Sequence, residues 1–117
     1  MTPERELEEL IYDHLAEENP DAFADLEDAT IQARIRAGIR RARKHGLDTD
    51  GAAVAFVTLM FLVAPDFDAH PAIKQALANA ALPADERIRT LFGATTEDDW
   101  ADAASNSRGW DNASAAR

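Results

Sequence analysis

Asp66, Asp68 and His70 stand at alternate positions directly behind the apolar run "LMFLVAP". Two carboxylates and an imidazole are ligands for a hard or borderline cation, and a cation held there would activate water for hydrolysis. All three share one side only if the backbone stays extended across five positions. Capping is the competing expectation. Pro65 ends the apolar helix, Asp66 seals the following turn and Phe67 tucks under the helix. Asp68 then caps the free amides of the next helix, and His70 precedes its first-turn Pro71. Capping is the preferred reading, with a metal-assisted hydrolase built on Asp66, Asp68 and His70 as the alternative. No catalytic residue, metal ligand or cofactor is assigned, so the expected class is not an enzyme.

Other chemical candidates are weaker. The stretch "DTDG" at 48–51 suggests a calcium loop, but with Gly51 at loop position 6, positions 1 and 12 would be Gly46 and Val57. An EF-hand places carboxylates there. His14 falls on the apolar stripe of the first helix near Glu17 and Glu18, without a second histidine at zinc-protease spacing. His45 sits at a helix end, where the dipole favours a cation. The glycines are scattered singly, and no loop resembles a phosphate cradle or a serine elbow.

The segment "ARIRAGIRRARKHG" at 33–46 is the most informative. At 100° per residue, Ile31, Ile35, Ile39 and Ala42 form one side. Arg36, Arg40, Arg43 and Lys44 lie opposite, flanked by Arg34 and Arg41. These cations either pair internally with the acidic first helix, "ERELEELIYDHLAEE", or form a docking face for an acidic partner protein. Internal pairing is the heavier expectation. Residues 29–47 carry six bases and no acid, whereas residues 1–28 carry eleven acids and one base. The net charge of −10 disfavours nucleic acid as a partner. A narrow, alanine-diluted apolar stripe without Trp or Phe disfavours a membrane surface.

Helices must position these groups. Period-2 alternation is nearly absent and helical spacing is frequent. Thr2 and Pro3 read as the start of a first helix, whose stripe is Leu7, Leu10, Ile11 and Leu15 and whose end is near Pro20. A short helical piece with Phe23 and Leu26 leads to the basic helix, about 29–45, closed by Gly46 as the left-handed C′ residue. Asp48 or Thr49 caps the apolar helix at 52–64. That run would extend only about 20 Å, against about 30 Å for a bilayer core, and so predicts a buried central helix. Further helices begin at Pro71 (burying Ile73 and Leu77), at Pro83 (with Ile88, Leu91 and Phe92 ahead of Gly93) and at Thr96. In the last of these Asp99 completes a capping box and Trp100 is the apolar anchor. The expected fold is all-α, a compact orthogonal bundle of five to six helices around the central apolar one. It forms a single domain over 1–104, with a flexible polar tail over 105–117.

Composition sets outer bounds. A chain of 117 residues with 46% hydrophobic content is long enough to bury a core. The absence of cysteine removes disulfides, thiolate metal sites and cysteine nucleophiles. The acidic opening "MTPERELEEL" is unlike a signal peptide, so a cytoplasmic location is expected.

The stretch 41–73 carries His45-Gly46-Leu47, then Phe56 with Leu59, Met60 and Phe61, then Pro65-Asp66-Phe67-Asp68 ahead of a proline-started helix. In this it resembles small all-helical proteins encoded in bacterial type VI secretion neighbourhoods, beside spike and effector components. Leu82-Pro83, "ERIRTLF" and "TTEDDW" continue the likeness, which covers about residues 30–104. Ala64 replaces a glycine of that pattern, and "DTDGAA" replaces a more charged helix start. The resemblance implies an accessory role and transfers no catalytic residue. The expected function is therefore a non-enzymatic adaptor, chaperone or immunity protein that binds an effector or spike component. Its candidate contacts are Arg34, Arg36, Arg40, Arg41, Arg43, Lys44 and Trp100, with the acidic helix 4–18 and Trp110 as further candidates. A self-associating structural domain is the remaining alternative.

Overall fold

Six α-helices and two 3-10 turns account for the regular structure in the computed structural model, which describes residues 4–23 and 26–105. They are α1 (Glu4–Glu18), a 3-10 turn (Pro20–Phe23), α2 (Asp28–Lys44), α3 (Asp50–Leu62), a second 3-10 turn (Phe67–Ala69), α4 (Pro71–Leu77), α5 (Ala84–Ala94) and α6 (Glu97–Ser105). No strand occurs among the described residues. The all-α expectation holds. Thr2, Pro3, Trp110 and the tail from residue 106 onward lie outside the described residues.

Helix α3 is apolar on nearly every side because it is the wall shared by two cores. Ala53 and Val57 face α1 and α2, closing a cluster with Leu7, Ile11, Ile31 and Ile35. Ala52, Phe56 and Met60 belong to the second cluster, with Phe67, Ile73, Leu77 and Leu91. A helix with two buried faces has no place for a polar stripe. Its last residue, Leu62, emerges and is 52% exposed. On the α2 side the backbones come close at Gly38, where a Cβ would lie 2.8 Å from Val57 Cγ2.

The helix ends follow local chemistry. Thr49 caps α3, its hydroxyl accepting from the Ala52 amide at 3.2 Å. The same hydroxyl donates to Asp85 Oδ1 at 2.6 Å, tying the start of α3 to the first turn of α5. Gly46 takes φ of +77°, the left-handed conformation that ends α2. Thr96 and Asp99 form the reciprocal capping box of α6, at 2.9 and 3.2 Å.

Helix α5 runs through Gly93 to Ala94. Gly93 has no heavy atom within 4 Å of its Cβ direction, and Thr95 Oγ1 bonds back to the Leu91 carbonyl at 2.8 Å. The capping expected of Asp66 and Asp68 fails. Asp68 does not cap α4. His70 does so, with Nδ1 accepting from the Ala72 amide at 3.3 Å. Asp66 makes no side-chain cap bond to the second 3-10 turn. The physical reason is that a nearby guanidinium and imidazole offer Asp68 a stronger, charge-assisted partnership than amides do.

Candidate interaction surface

The candidate cations all belong to α2, and the structure separates them into inward and outward groups. Arg41 occupies the flank between the apolar and polar sides and turns inward. Its Nε donates to Asp68 Oδ1 and Oδ2 at 2.6 and 2.7 Å. Arg43 Nη1 donates to the Leu47 carbonyl at 3.1 Å, closing the C-terminal turn of its own helix. Arg34 is half-buried and also engaged. Arg36 points outward with a 44% exposed side chain and reaches Glu8 of α1 at 3.7 Å. Arg40 and Lys44 are exposed and make no hydrogen bond or ion pair among the described residues.

Asp68 anchors a buried polar cluster. Its side chain is 4% exposed, those of Arg41 and His45 14% and 18%. His45 Nε2 lies 2.7 Å from Asp68 Oδ2. An ionised carboxylate only accepts, so the imidazole proton sits on Nε2. Burial, the largest single influence on the Asp68 carboxyl, pushes its pKa up. The hydrogen bonds from His45 and Arg41, with the attraction of both charges, outweigh burial and leave the carboxyl below its ordinary value. Both oxygens are thus committed to side chains of α2 and the residue after it. This arrangement latches the 3-10 turn at Phe67–Ala69 onto the end of the basic helix.

His70 works elsewhere. Because Nδ1 accepts the Ala72 amide, its proton is on Nε2, which faces Asp102 Oδ2 at 4.0 Å. Asp68 and His70 therefore serve different elements. Among the described residues no group of three or more His, Asp or Glu side chains is arranged to hold a metal ion.

Trp100 takes part in the packing of its own fold. It stacks on Phe67 with ring centroids 5.7 Å apart and on Phe92 at 5.0 Å. Its Nε1 donates to Thr95 Oγ1 at 2.9 Å. Phe67 continues to Phe56 at 5.0 Å, and Phe56 to the His45 ring at 5.6 Å. One aromatic row thus runs from the buried cluster to Phe92, which is 58% exposed.

Sequence reasoning missed a further group, Arg87. Its Nη1 donates to the His45 carbonyl at 2.8 Å and the Leu77 carbonyl at 3.1 Å, and its Nε to the Leu82 carbonyl at 3.0 Å. It joins the C-terminal ends of α2 and α4, where carbonyls lack helical partners. Nothing in the pattern around residue 87 announces this.

A groove of about 620 Å³ lies between α1 and α2, lined by Glu8, Tyr12, Asp13, Asp28, Ile35 and Arg36 among others. Tyr12 donates to Asp28 Oδ1 across it at 2.9 Å. No helix among the described residues is long and apolar enough to cross a membrane. No protein-family model matches the chain, and neither a curated protein nor a solved structure is significantly similar to it.

Proposed function

We propose that this chain is a non-enzymatic, protein-binding accessory that acts as adaptor, chaperone or immunity protein for an effector or spike component of a type VI secretion system. The secretion context comes from the resemblance of residues 30–104. The observation carrying the binding role is the outward row Arg36, Arg40 and Lys44. Its members stand four residues apart, about one helical turn each, so their charges line up along one ridge. Arg41 and Arg43 are spent on holding the fold together, whereas Arg40 and Lys44 hold nothing in it. An exposed guanidinium and an exposed ammonium with no contact among the described residues fit recognition of partner carboxylates. Binding would proceed by charge and shape complementarity without a chemical step.

Neutralising the ridge tests the reading. Arg40→Gln with Lys44→Gln leaves the buried cluster intact, so thermal unfolding changes little. Capture of the effector or spike component from the native host, identified by mass spectrometry, falls by about tenfold or more. Undiminished capture by the double variant, or a captured partner unrelated to secretion, would sink it.

A further inference from the structure

Helices α1 and α2 run antiparallel, and their outward charges are segregated along that hairpin. The contact from Tyr12 to Asp28 and the approach of Glu8 to Arg36 fix the alignment. The two contacts run in opposite senses along the helices. At about 1.5 Å per residue in each, Arg40 falls level with the first turn of α1 and Lys44 beyond it, while Asp13 and Glu17 lie toward Asp28 at the opposite end. Glu9, Asp13 and Glu17 are exposed and, among the described residues, make no hydrogen bond or ion pair. They are spaced by four residues, as Arg36, Arg40 and Lys44 are. Among the described residues the two rows make no ion pair with each other, and Arg36 reaches instead to Glu8 at 3.7 Å.

We infer that the α1–α2 face is a self-complementary docking surface whose occupant is a second copy of this chain. Rotation by a two-fold axis across the helices turns the second copy end for end and lays its acidic end over the first copy's basic end. The same rotation pairs the other two ends, so the contact closes as a dimer. Matching four-residue spacing puts successive carboxylates and cations in register, about 6 Å apart along each helix. Leu10, 50% exposed and three residues from Asp13, borders the acidic row and meets the aliphatic stems of the opposing arginines. The net charge of −10 opposes approach at long range. At physiological ionic strength that repulsion is screened beyond about 8 Å, whereas pairs in contact are screened far less. This inference rests on the reading of the α2 row as a docking ridge and specifies what covers it when no other partner is bound.

The test is a charge-swap exchange followed by sedimentation equilibrium. The wild-type chain forms a concentration-dependent dimer below about 1 mM, dispersed in about 1 M salt. Arg40→Glu with Lys44→Glu, and separately Asp13→Lys with Glu17→Lys, each weaken self-association by about tenfold or more. An equimolar mixture of the two variants associates again, because each supplies the charge the other now needs. Circular dichroism verifies that both fold, and if the first does not, Arg40→Gln with Lys44→Gln takes its place in the weakening test alone, without the mixture. A wild-type chain still monomeric at about 1 mM overturns the inference. If that monomer nevertheless captures a secretion component through Arg40, the function proposed above stands alone. Association untouched by the swaps, or absent from the mixture, also overturns the inference. Species larger than a dimer refute the closed two-fold arrangement.

Discussion

Asp68 and Arg41 are 27 residues apart in the chain, yet both carboxylate oxygens of Asp68 lie within 2.7 Å of Arg41 Nε. His45 shares the same carboxylate from one helical turn further on. The pairing is nearly buried, so removing the carboxylate leaves a guanidinium stranded in a poorly solvated site. Asp68→Asn keeps the shape and deletes the charge. Since Arg41 retains some solvent contact, the loss falls below the full penalty for a buried pair, at about 2 to 4 kcal/mol. Urea unfolding of the variant measures it. A loss below about 0.5 kcal/mol would show that the latch contributes no more than an exposed ion pair.

The same carboxylate sets a pH response. Its folded-state pKa lies below the ordinary 3.8, so on acidification the unfolded chain takes up the proton first. The stabilisation is present in full above the unfolded value and disappears as pH falls through the lower folded one. Unfolding free energies measured from pH 7 down to about 2 fall more steeply for wild type than for Asp68→Asn in that acid window. Parallel acid limbs would contradict the arrangement.

Apolar spacing made most of the architecture legible. The stripes on α1 and α2, the capping residue Thr49, the Gly46 stop and the box at Thr96 are local features, written within a few residues of where they act. The double-sided burial of α3 was also readable, since a run with no polar face needs neighbours on more than one side. Asp68 was misjudged because an aspartate before a helix satisfies the local rule for a cap. The guanidinium that wins it comes from another helix, which short-range pattern does not reveal. The α2 cations were recognised as a group, but only packing could sort Arg41 and Arg43 from Arg40 and Lys44.

Tyr12 reports on the groove between α1 and α2. The hydrogen bond to Asp28 is the main cause raising its pKa above 10.0, aided by slight burial and by the negative charges of Asp28 and Asp13. It is the chain's one tyrosine, so ultraviolet absorbance follows its ionisation directly. The midpoint lies above 10.0 in the wild type and drops in Asp28→Asn. An unchanged midpoint in the variant would show that this contact does not persist in solution. The raised value also means that this contact's stabilisation is present below the unfolded pKa and lost as pH rises through the folded one.

Arg87 tests how far helix ends depend on one side chain. It supplies donors to carbonyls at the ends of α2 and α4 and in the loop before α5. Arg87→Met keeps much of the stem's packing and leaves those acceptors to water or to no partner. Hydrogen bonds to charged groups contribute about 1.5 to 3 kcal/mol each, but here they share one side chain and are not additive. A total loss of about 2 to 3 kcal/mol in denaturant unfolding follows, with helix content retained by circular dichroism. Arg87→Lys recovers only part of it, because a compact ammonium lacks the forked reach of the guanidinium.

Gly38 and Gly93 provide a paired comparison, since both lie in helices but in opposite surroundings. Alanine gains up to about 1 kcal/mol over glycine from helix propensity alone. At Gly38 the new Cβ would sit 2.8 Å from Val57 Cγ2 and 3.1 Å from Met60 Sδ. A thioether can swing aside, but the branched Val57 methyl is fixed against the core and cannot yield without moving α3. Overpacking of this kind costs about 1 to 3 kcal/mol, which exceeds the propensity gain, so Gly38→Ala is destabilising by about 1 kcal/mol. At Gly93 nothing lies within 4 Å, and the substitution stabilises by a few tenths of a kcal/mol, reduced because it is near the helix end. Thermal unfolding of the two variants thus shifts in opposite directions. A stabilising Gly38→Ala would mean that α2 and α3 do not approach at this point.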